Sequence, residues 1–148
     1  MKVFQGRPVV PGMAKAVALV SQGGFNTLAS YQKALLFGDA KATCSDQNNP
    51  DLFGKPMAGM ALCLPQTIGS TTGGMVLYCA AAIHAQPACL LFSKPIDSLA
   101  AAGAILADVW VDDVAMPTVD GLGDEFLAFV KTGMTLDVSP DGKVTVGE

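Results

Sequence analysis

The chain has 148 residues, a formal net charge of −4 at pH 7 and a single arginine, so it carries no basic patch of the kind that binds nucleic acid. Charged residues make up only 15% of the chain, well below the ~25% of ordinary domains, and this favours a surface that a partner partly covers. The sequence shows no signal peptide and no apolar run of the ~18–20 residues that span a membrane, so we expect one cytoplasmic domain over residues 1–148.

The N-terminal part predicts strands and loops. Residues 2–6 and 15–21 have the pattern of strands, and residues 7–12 between them, with two prolines, predict a turn. The glycines and asparagine of residues 21–31 predict a loop. Residues 42–59 form the longest polar segment, and an irregular loop of that length is typically functional or packed on something.

The central part predicts strands alternating with helices. Short apolar runs indicate strands covered on both faces, and an apolar run that ends at a proline indicates a buried helix. The predicted elements are strand 60–64, helix 73–86 (ended by Pro87), strand 88–92, helix 97–108 (capped by Asp97 or Ser98) and a third buried strand at 109–111.

The C-terminal part alternates apolar and polar residues on each side of Pro-Asp-Gly. This pattern predicts a β-hairpin over residues 134–146 with its turn at 140–142. The whole chain therefore predicts a single compact α/β domain.

The cysteines and the histidine give little sign of a metal site. Cys63, Cys79 and Cys89 lie in apolar runs, where a reduced thiol behaves as a small hydrophobe. Cys44 lies in the polar segment and is a candidate for a reactive thiol or a partner contact. The single histidine, His84, excludes a self-contained histidine-rich metal site.

The segment LPQTIGSTTGG, residues 64–74, stands between a predicted strand and a predicted helix. Glycines and hydroxyls at a helix start leave backbone N–H groups that suit a carboxylate or phosphate. The alternative is that Ser70, Thr71 or Thr72 simply caps the helix. The segment lacks the lysine of a Walker loop, the spacing of a dinucleotide-binding turn and the G-x-S-x-G of a nucleophile elbow.

Several segments together carry a family likeness. FQGRPVVPGMAKAVALVS, GGFN, NPDLFGKPMAGMALCLPQTIGSTTGGMVLYCAAA, QPACLLF and AAAGAILAD follow one another over roughly residues 4–110. They resemble the small subunit, or swivel domain, of the aconitase X family. The resemblance implies a swivelling β/β/α domain with no metal of its own, acting with a large catalytic subunit that carries an iron–sulfur cluster.

The resemblance also implies a reaction. The pair would dehydrate a small hydroxy acid, with Ser70 removing a proton from carbon while Gly69, Thr71 and Thr72 cradle anionic groups. The family's substrates are cis-3-hydroxy-L-proline and mevalonate 5-phosphate, and the single arginine favours hydroxyproline slightly.

The role of Arg7 and two alternative functions of the chain remain open. Aconitases place an arginine close after the serine, but Thr72 stands there in this chain, so Arg7 either clamps a substrate carboxylate or fixes the turn before Pro8. One alternative function is a non-catalytic regulatory or assembly domain. Another is a phosphotransfer swivel domain, in which Tyr78 would occupy the position of the phosphorylated histidine.

Overall fold

The computed structural model describes residues 1–69 and 71–147. Its strands are β1 Lys2–Gln5, β2 Arg7–Val10, β3 Ala14–Val20, β4 Phe25–Asn26, β5 Ala61–Leu64, β6 Thr67–Ile68, β7 Cys89–Phe92, β8 Thr118–Asp120, β9 Thr135–Val138 and β10 Lys143–Val146. Its helices are α1 Thr27–Phe37, α2 Gly73–Ala82, α3 Ser98–Trp110 and α4 Asp124–Phe129. The predicted α/β domain with a C-terminal hairpin is confirmed.

An eight-stranded mixed sheet organises the molecule, in the order β1-β10-β9-β3-β5-β7-β8-β2. Strands β3, β5, β7 and β8 run parallel, and the remaining pairs are antiparallel. Strands β5 and β7 are buried along their whole length, as their continuous apolar sequences predict. A separate parallel pair is formed by β4 and β6, which precede helices α1 and α2 in the chain.

Two apolar layers cover the two faces of the sheet. Helices α1, α2 and α3 pack on one face around Tyr31, Leu77 and Ala104. The other face buries Phe4 and Phe126, which meet edge to face at 5.3 Å between ring centroids. The polar segment 42–59 is an irregular loop, as predicted, with one isolated bridge between Thr43 and Pro56.

The predicted turn over residues 7–12 is wrong, because residues 7–10 form strand β2. This strand pairs with β8 at the edge of the sheet. A proline is tolerated in an edge strand, since its missing N–H is not needed by a further neighbour. The two prolines therefore mark an edge strand and its end.

The predicted loop over residues 21–31 is also wrong in its second half, where strand β4 and helix α1 begin. Asn26 is the N-cap of α1, and its side-chain oxygen accepts a hydrogen bond from the N–H of Ala29 at 3.0 Å. The helix buries Tyr31 and Ala34, while its exposed face carries Gln32 and Lys33 together with the apolar Leu36 and Phe37. Asparagine is among the preferred N-caps, so a residue taken as a loop signal in fact starts a helix.

The third buried strand predicted at residues 109–111 does not form. Helix α3 continues to Trp110, and the N–H of Val111 donates to the carbonyl of Ala107. Val109 and Trp110 are each 66% exposed. A short apolar run does not by itself distinguish a buried strand from an exposed helix end. The strand that completes the parallel set is β8, seven residues further on.

Helices α2 and α3 touch backbone to backbone. A Cβ atom at Gly74 would stand 2.1 Å from the carbonyl oxygen of Leu99, and one at Gly103 would stand 2.0 Å from the carbonyl oxygen of Gly74. Only glycine at both positions permits this approach. The crossing sets the distance between the starts of the two helices, where the candidate site lies.

Candidate functional site

The candidate site lies at the carboxyl edge of the parallel strands. Chain segments leave β3, β5 and β7 at this edge and lead into α1, α2 and α3 respectively. In open α/β sheets ligands bind in this region, because the helix starts point their unpaired N–H groups towards it. The predicted strand–loop–helix context of residues 64–74 is therefore confirmed.

A cavity of about 160 Å³ opens among the three helix starts. Thr27 contributes from α1, Gly73 and Gly74 from α2, and Leu99 and Ala100 from α3. Helix N-termini carry partial positive charge, so three of them around one cavity favour an anionic group there. The volume is below the ~300–1,000 Å³ of pockets that enclose a whole small ligand. The chain thus offers part of a binding site.

The β4–β6 pair positions the wall that carries Gly69. Phe25 pairs with Thr67, and Asn26 pairs with Ile68. Gly69 follows with φ +93°, and a Cβ there would stand 2.7 Å from Nδ2 of Asn26. Both the left-handed backbone and the close asparagine require glycine at this position.

The predicted site residues around Gly69 come together in the structure. Gly69 and Thr71 line the cavity. Thr72 is the N-cap residue of α2, and its carbonyl accepts the N–H of Val76 at 3.0 Å. Ser70 lies outside the residues that the structure describes, so its predicted role as base is untested.

A carboxylate that the sequence analysis treated only as a possible cap also lines the cavity. Asp97 caps α3 by accepting from the N–H of Ala100 at 3.0 Å, and it accepts a short hydrogen bond from the hydroxyl of Thr67. Burial alone would raise the pKa of Asp97, but the hydrogen bonds from Thr67 and the α3 backbone outweigh it and lower the pKa. Asp97 is therefore a carboxylate whose charge is compensated locally, and it ties strand β6 to α3.

Arg7 stands at the same edge of the sheet but does not line the cavity. It pairs with Asp120 across β2 and β8, with Nε–Oδ1 2.9 Å and Nη2–Oδ2 2.6 Å. The Asp120 side chain is buried, whereas that of Arg7 is 68% exposed. The same carboxylate also accepts the N–H of Ile96 at 2.8 Å, next to Asp97. The pair fixes the segment that enters α3, which gives Arg7 a structural role; its predicted contact with substrate stays a prediction.

The cysteines occupy sites of different exposure. Cys44, Cys63 and Cys89 are buried, while Cys79 is partly exposed on α2. Burial raises the pKa of the Cys44 thiol and raises that of Cys89 to about 12. A buried thiol with a raised pKa is a poor nucleophile, so the structure does not favour Cys44 as a reactive residue.

The predicted buried helix over residues 73–86 would include His84, but the structure places His84 outside it. Helix α2 ends at Ala82, and His84 is exposed with φ 58°. Within residues 1–69 and 71–147, no group of three or more His, Cys, Asp or Glu side chains could hold a metal ion. No helix in the same part of the chain is long and apolar enough to cross a membrane.

The sequence analysis missed Asn26, Thr27 and Thr67 as parts of the site. Each lies on β4, β6 or the start of α1. Asn26 followed by Thr27 is a usable helix-start signal, but the adjacent glycines favoured a loop. Thr67 gave no signal in the sequence, because its partner Asp97 is thirty residues away.

Comparison with known proteins agrees with this architecture. The phosphomevalonate dehydratase small subunit of Thermococcus kodakarensis is 28% identical over 146 residues, which cover 98% of this chain and 96% of the relative. That of Aeropyrum pernix is 27% identical over 143 residues, covering 97% and 92%. The crystal structure of Thermococcus kodakaraensis aconitase X in its holo form matches with a TM-score of 0.81 and 27% identity, covering 100% of both chains.

A second solved structure gives the same fold. The solution NMR structure of a UPF0107 protein matches with a TM-score of 0.79 and 26% identity, covering 99% of this chain and 100% of the other. The family model of the aconitase X swivel domain matches residues 3–146. With the swivel-type sheet and the glycine-rich helix start in place, the chain belongs to the aconitase X swivel-domain family.

Proposed function

We propose that this chain is the small subunit of an aconitase X-type dehydratase and that it provides one wall of an active site shared with a large subunit. The observation that carries the proposal is the cavity at the starts of α1, α2 and α3. It favours an anion but is too small and too open to enclose a substrate alone. The names of the relatives, all small subunits of a dehydratase, support a partner that completes it.

Mevalonate 5-phosphate is the first substrate to test. The relatives above are named for phosphomevalonate. The start of α2, which unlike α1 and α3 has no side-chain cap bond from its N-cap residue, suits a phosphate or carboxylate group without an arginine. The slight preference for cis-3-hydroxy-L-proline rested on the single arginine of the chain. That argument loses weight once backbone N–H groups can bind the anion, but hydroxyproline remains the second candidate.

In this proposal Ser70 is the base that removes a proton from the substrate carbon. A serine hydroxyl acts as a base only when its own proton is lost and the resulting oxygen anion is stabilised. The partial positive charge at the start of α2, which begins three residues further along the chain, would supply such stabilisation in the manner of an oxyanion hole. Gly69, held left-handed against Asn26, fixes the chain that leads to Ser70.

The iron–sulfur cluster belongs to the large subunit in this proposal. When bound there, the cluster would supply Lewis-acid chemistry for the departing hydroxyl. The described part of the present chain offers no group of side chains suited to a metal, so its own contribution is to bind an anion, to orient the substrate and to hold a proton at Ser70.

The test is reconstitution with the large subunit of the same organism under anaerobic conditions, followed by a dehydration assay with each candidate substrate. We expect turnover of one substrate, and we expect Ser70→Ala to lower kcat by at least about 100-fold without preventing assembly. Ser139→Ala is a matched control, because the Ser139 hydroxyl hydrogen-bonds the Asp141 carboxylate in the turn between β9 and β10 and does not line the cavity. Near-normal turnover by Ser70→Ala would overturn the role of Ser70.

Arg7 is tested in the same assay. If its guanidinium also contacts substrate, Arg7→Gln raises KM in the assembled enzyme. If it only holds Asp120 and the segment before α3, the substitution lowers stability and leaves KM unchanged. A complex that turns over neither substrate would favour the non-catalytic assembly domain. The phosphotransfer alternative would require phosphorylation of this chain at Tyr78, which mass spectrometry after incubation with phosphoenolpyruvate would reveal.

A further inference from the structure

Helices α2 and α3 leave an open apolar groove on the surface beside the candidate site. We call it the α2–α3 groove; its volume is about 470 Å³. The side chains that form it are chiefly Met75, Tyr78, Leu99, Leu106 and Trp110. Met75 is 69% exposed and Trp110 is 66% exposed. Large apolar side chains this exposed on one face mark an interaction site more often than a free surface.

The area of the groove fits a protein partner. At the exposed fractions of Met75, Leu99, Leu106 and Trp110, these four side chains present roughly 450 Å² of surface, which lies in the range of patches that are commonly functional. A standard interface buries about 800 Å² on each partner. The groove therefore supplies about half of such an interface, and the rim of the adjacent site can supply more.

The groove is built as a rigid surface. The backbone contact between Gly74 and Gly103 fixes the two helices relative to each other. Tyr78 and Trp110 meet edge to face at 6.2 Å between ring centroids, across the groove from α2 to α3. Preformed aromatic anchors lose little conformational entropy on binding and are frequent hot spots.

The charges near the groove argue against a second copy of this chain as its occupant. Helix α2 carries no charged residue, and the charged residues on and just after α3 are Asp108, Asp112 and Asp113. Lys94 is the only lysine or arginine between residues 69 and 130. A self-complementary contact would bring acidic ends together, whereas a different chain with lysine or arginine at its rim would complement them.

The groove is also continuous with the candidate site. Thr71, Gly74 and Leu99 line both the groove and the cavity at the helix starts. A chain seated in the groove would therefore stand at the open side of the cavity. We propose that the α2–α3 groove is the surface on which the large subunit docks, through an apolar ridge flanked by basic side chains. This inference rests on the proposed function, since that function supplies the partner.

The test compares two apolar-to-acidic substitutions of equal exposure. Met75→Glu places a charge in the groove, and Leu36→Glu places one on α1, where Leu36 is 70% exposed and Met75 is 69%. Both are titrated against the purified, cluster-loaded large subunit by calorimetry. We expect Met75→Glu and Trp110→Ala each to raise Kd by about 30-fold or more, and Leu36→Glu to change it less than about threefold.

A second measurement uses the unmodified chain. Cys79 lines the groove and is partly exposed, so its labelling by maleimide should slow at least about tenfold when the large subunit is added in excess, in proportion to the bound fraction. This readout does not depend on whether a variant folds.

The outcomes separate the docking surface from the proposed function. Suppose that the complex is active, that Met75→Glu and Trp110→Ala leave Kd unchanged, and that Cys79 is still labelled at the rate of the free chain. This result overturns the docking surface and leaves the proposed function intact. If Leu36→Glu weakens binding of the large subunit and Met75→Glu does not, the interface lies on α1 and the α2–α3 groove is overturned as the docking surface. Absence of any binding by the two unmodified chains overturns both proposals. Self-association in sedimentation that Met75→Glu abolishes would assign the groove to a second copy, against the proposal.

Discussion

The backbone contact between α2 and α3 predicts a large difference between two adjacent glycines. At Gly74 an alanine Cβ would stand 2.1 Å from the carbonyl oxygen of Leu99, a backbone atom that cannot move without its helix. At Gly73 the nearest atom would be Cβ of Thr27 at 3.6 Å, an ordinary contact. Both residues lie in the first turn of α2, so the pair isolates the steric effect from the helical position.

The expected magnitude follows from two opposing effects. Forcing a methyl group into a packed contact typically costs about 1–3 kcal/mol and at times more, and this contact is more than an ångström too short. Replacing glycine by alanine within a helix raises the free energy of unfolding by at most about 1 kcal/mol, and by less in a first turn. We therefore expect Gly74→Ala to lower the free energy of unfolding by about 2 kcal/mol, and Gly73→Ala to leave it within about 0.5 kcal/mol of the parent.

Urea denaturation of the isolated chain, followed by circular dichroism at 222 nm, measures both values. Gly103→Ala should resemble Gly74→Ala, because its Cβ would meet the carbonyl oxygen of Gly74 at 2.0 Å. An unchanged m-value would show that the surface exposed on unfolding is the same, so that the shift in midpoint reports a change in stability. If Gly74→Ala proved as stable as Gly73→Ala, the close crossing of the two helices, and with it the shape of both the cavity and the groove, would be refuted.

Two further predictions concern ionisable groups. Asp97→Ala should cost about 1 kcal/mol at pH 7, as loss of an N-cap does, while Asp108→Ala on the exposed face of the same helix should stay within about 0.5 kcal/mol. The folded chain lowers the pKa of Asp97 below the ordinary aspartate value of 3.8. Its stabilising contribution is thus present above that pH and is lost as the pH falls through the folded-state pKa. The difference between parent and Asp97→Ala in urea titrations should therefore shrink below about pH 4; a difference that stays constant down to pH 2 would contradict the hydrogen bonds assigned to Asp97. For the thiols, maleimide should label Cys79 first in the native chain, with Cys63 and Cys89 reacting only on unfolding, because burial raises the pKa of both. Mass spectrometry of timed digests reads this order, and early labelling of Cys63 would show that the sheet core is open.

The sequence predicts those elements whose signal is local. The strands at 60–64 and 88–92, the start of the helix after Asp97 and the hairpin at 134–146 all carry their pattern within a few residues, and the structure confirms each of them. The family resemblance rests on motifs of the same kind, and the match over residues 3–146 confirms it. These features are readable because apolar period, caps and turn residues act between near neighbours.

The sequence alone is ambiguous where the deciding partner is distant. Residues 7–10 become a strand because β8, more than a hundred residues later, pairs with them. Residues 109–110 stay helical and exposed because β8, and not they, occupies the place beside β7. Tertiary pairing overrides local preference in both cases.

The candidate site also has one part that the sequence identifies and another that only the structure shows. The glycine-rich segment at residues 69–74 was identified from the sequence, because strand, glycines and helix start follow one another directly. Its other walls come from Thr27, Thr67 and Asp97, which are remote in sequence and meet only because parallel strands align their carboxyl ends at one edge of the sheet. The sequence by itself determined the family and the segment that faces the site, while only the tertiary structure decided what surrounds that segment, since a cavity is formed by groups that no local pattern connects.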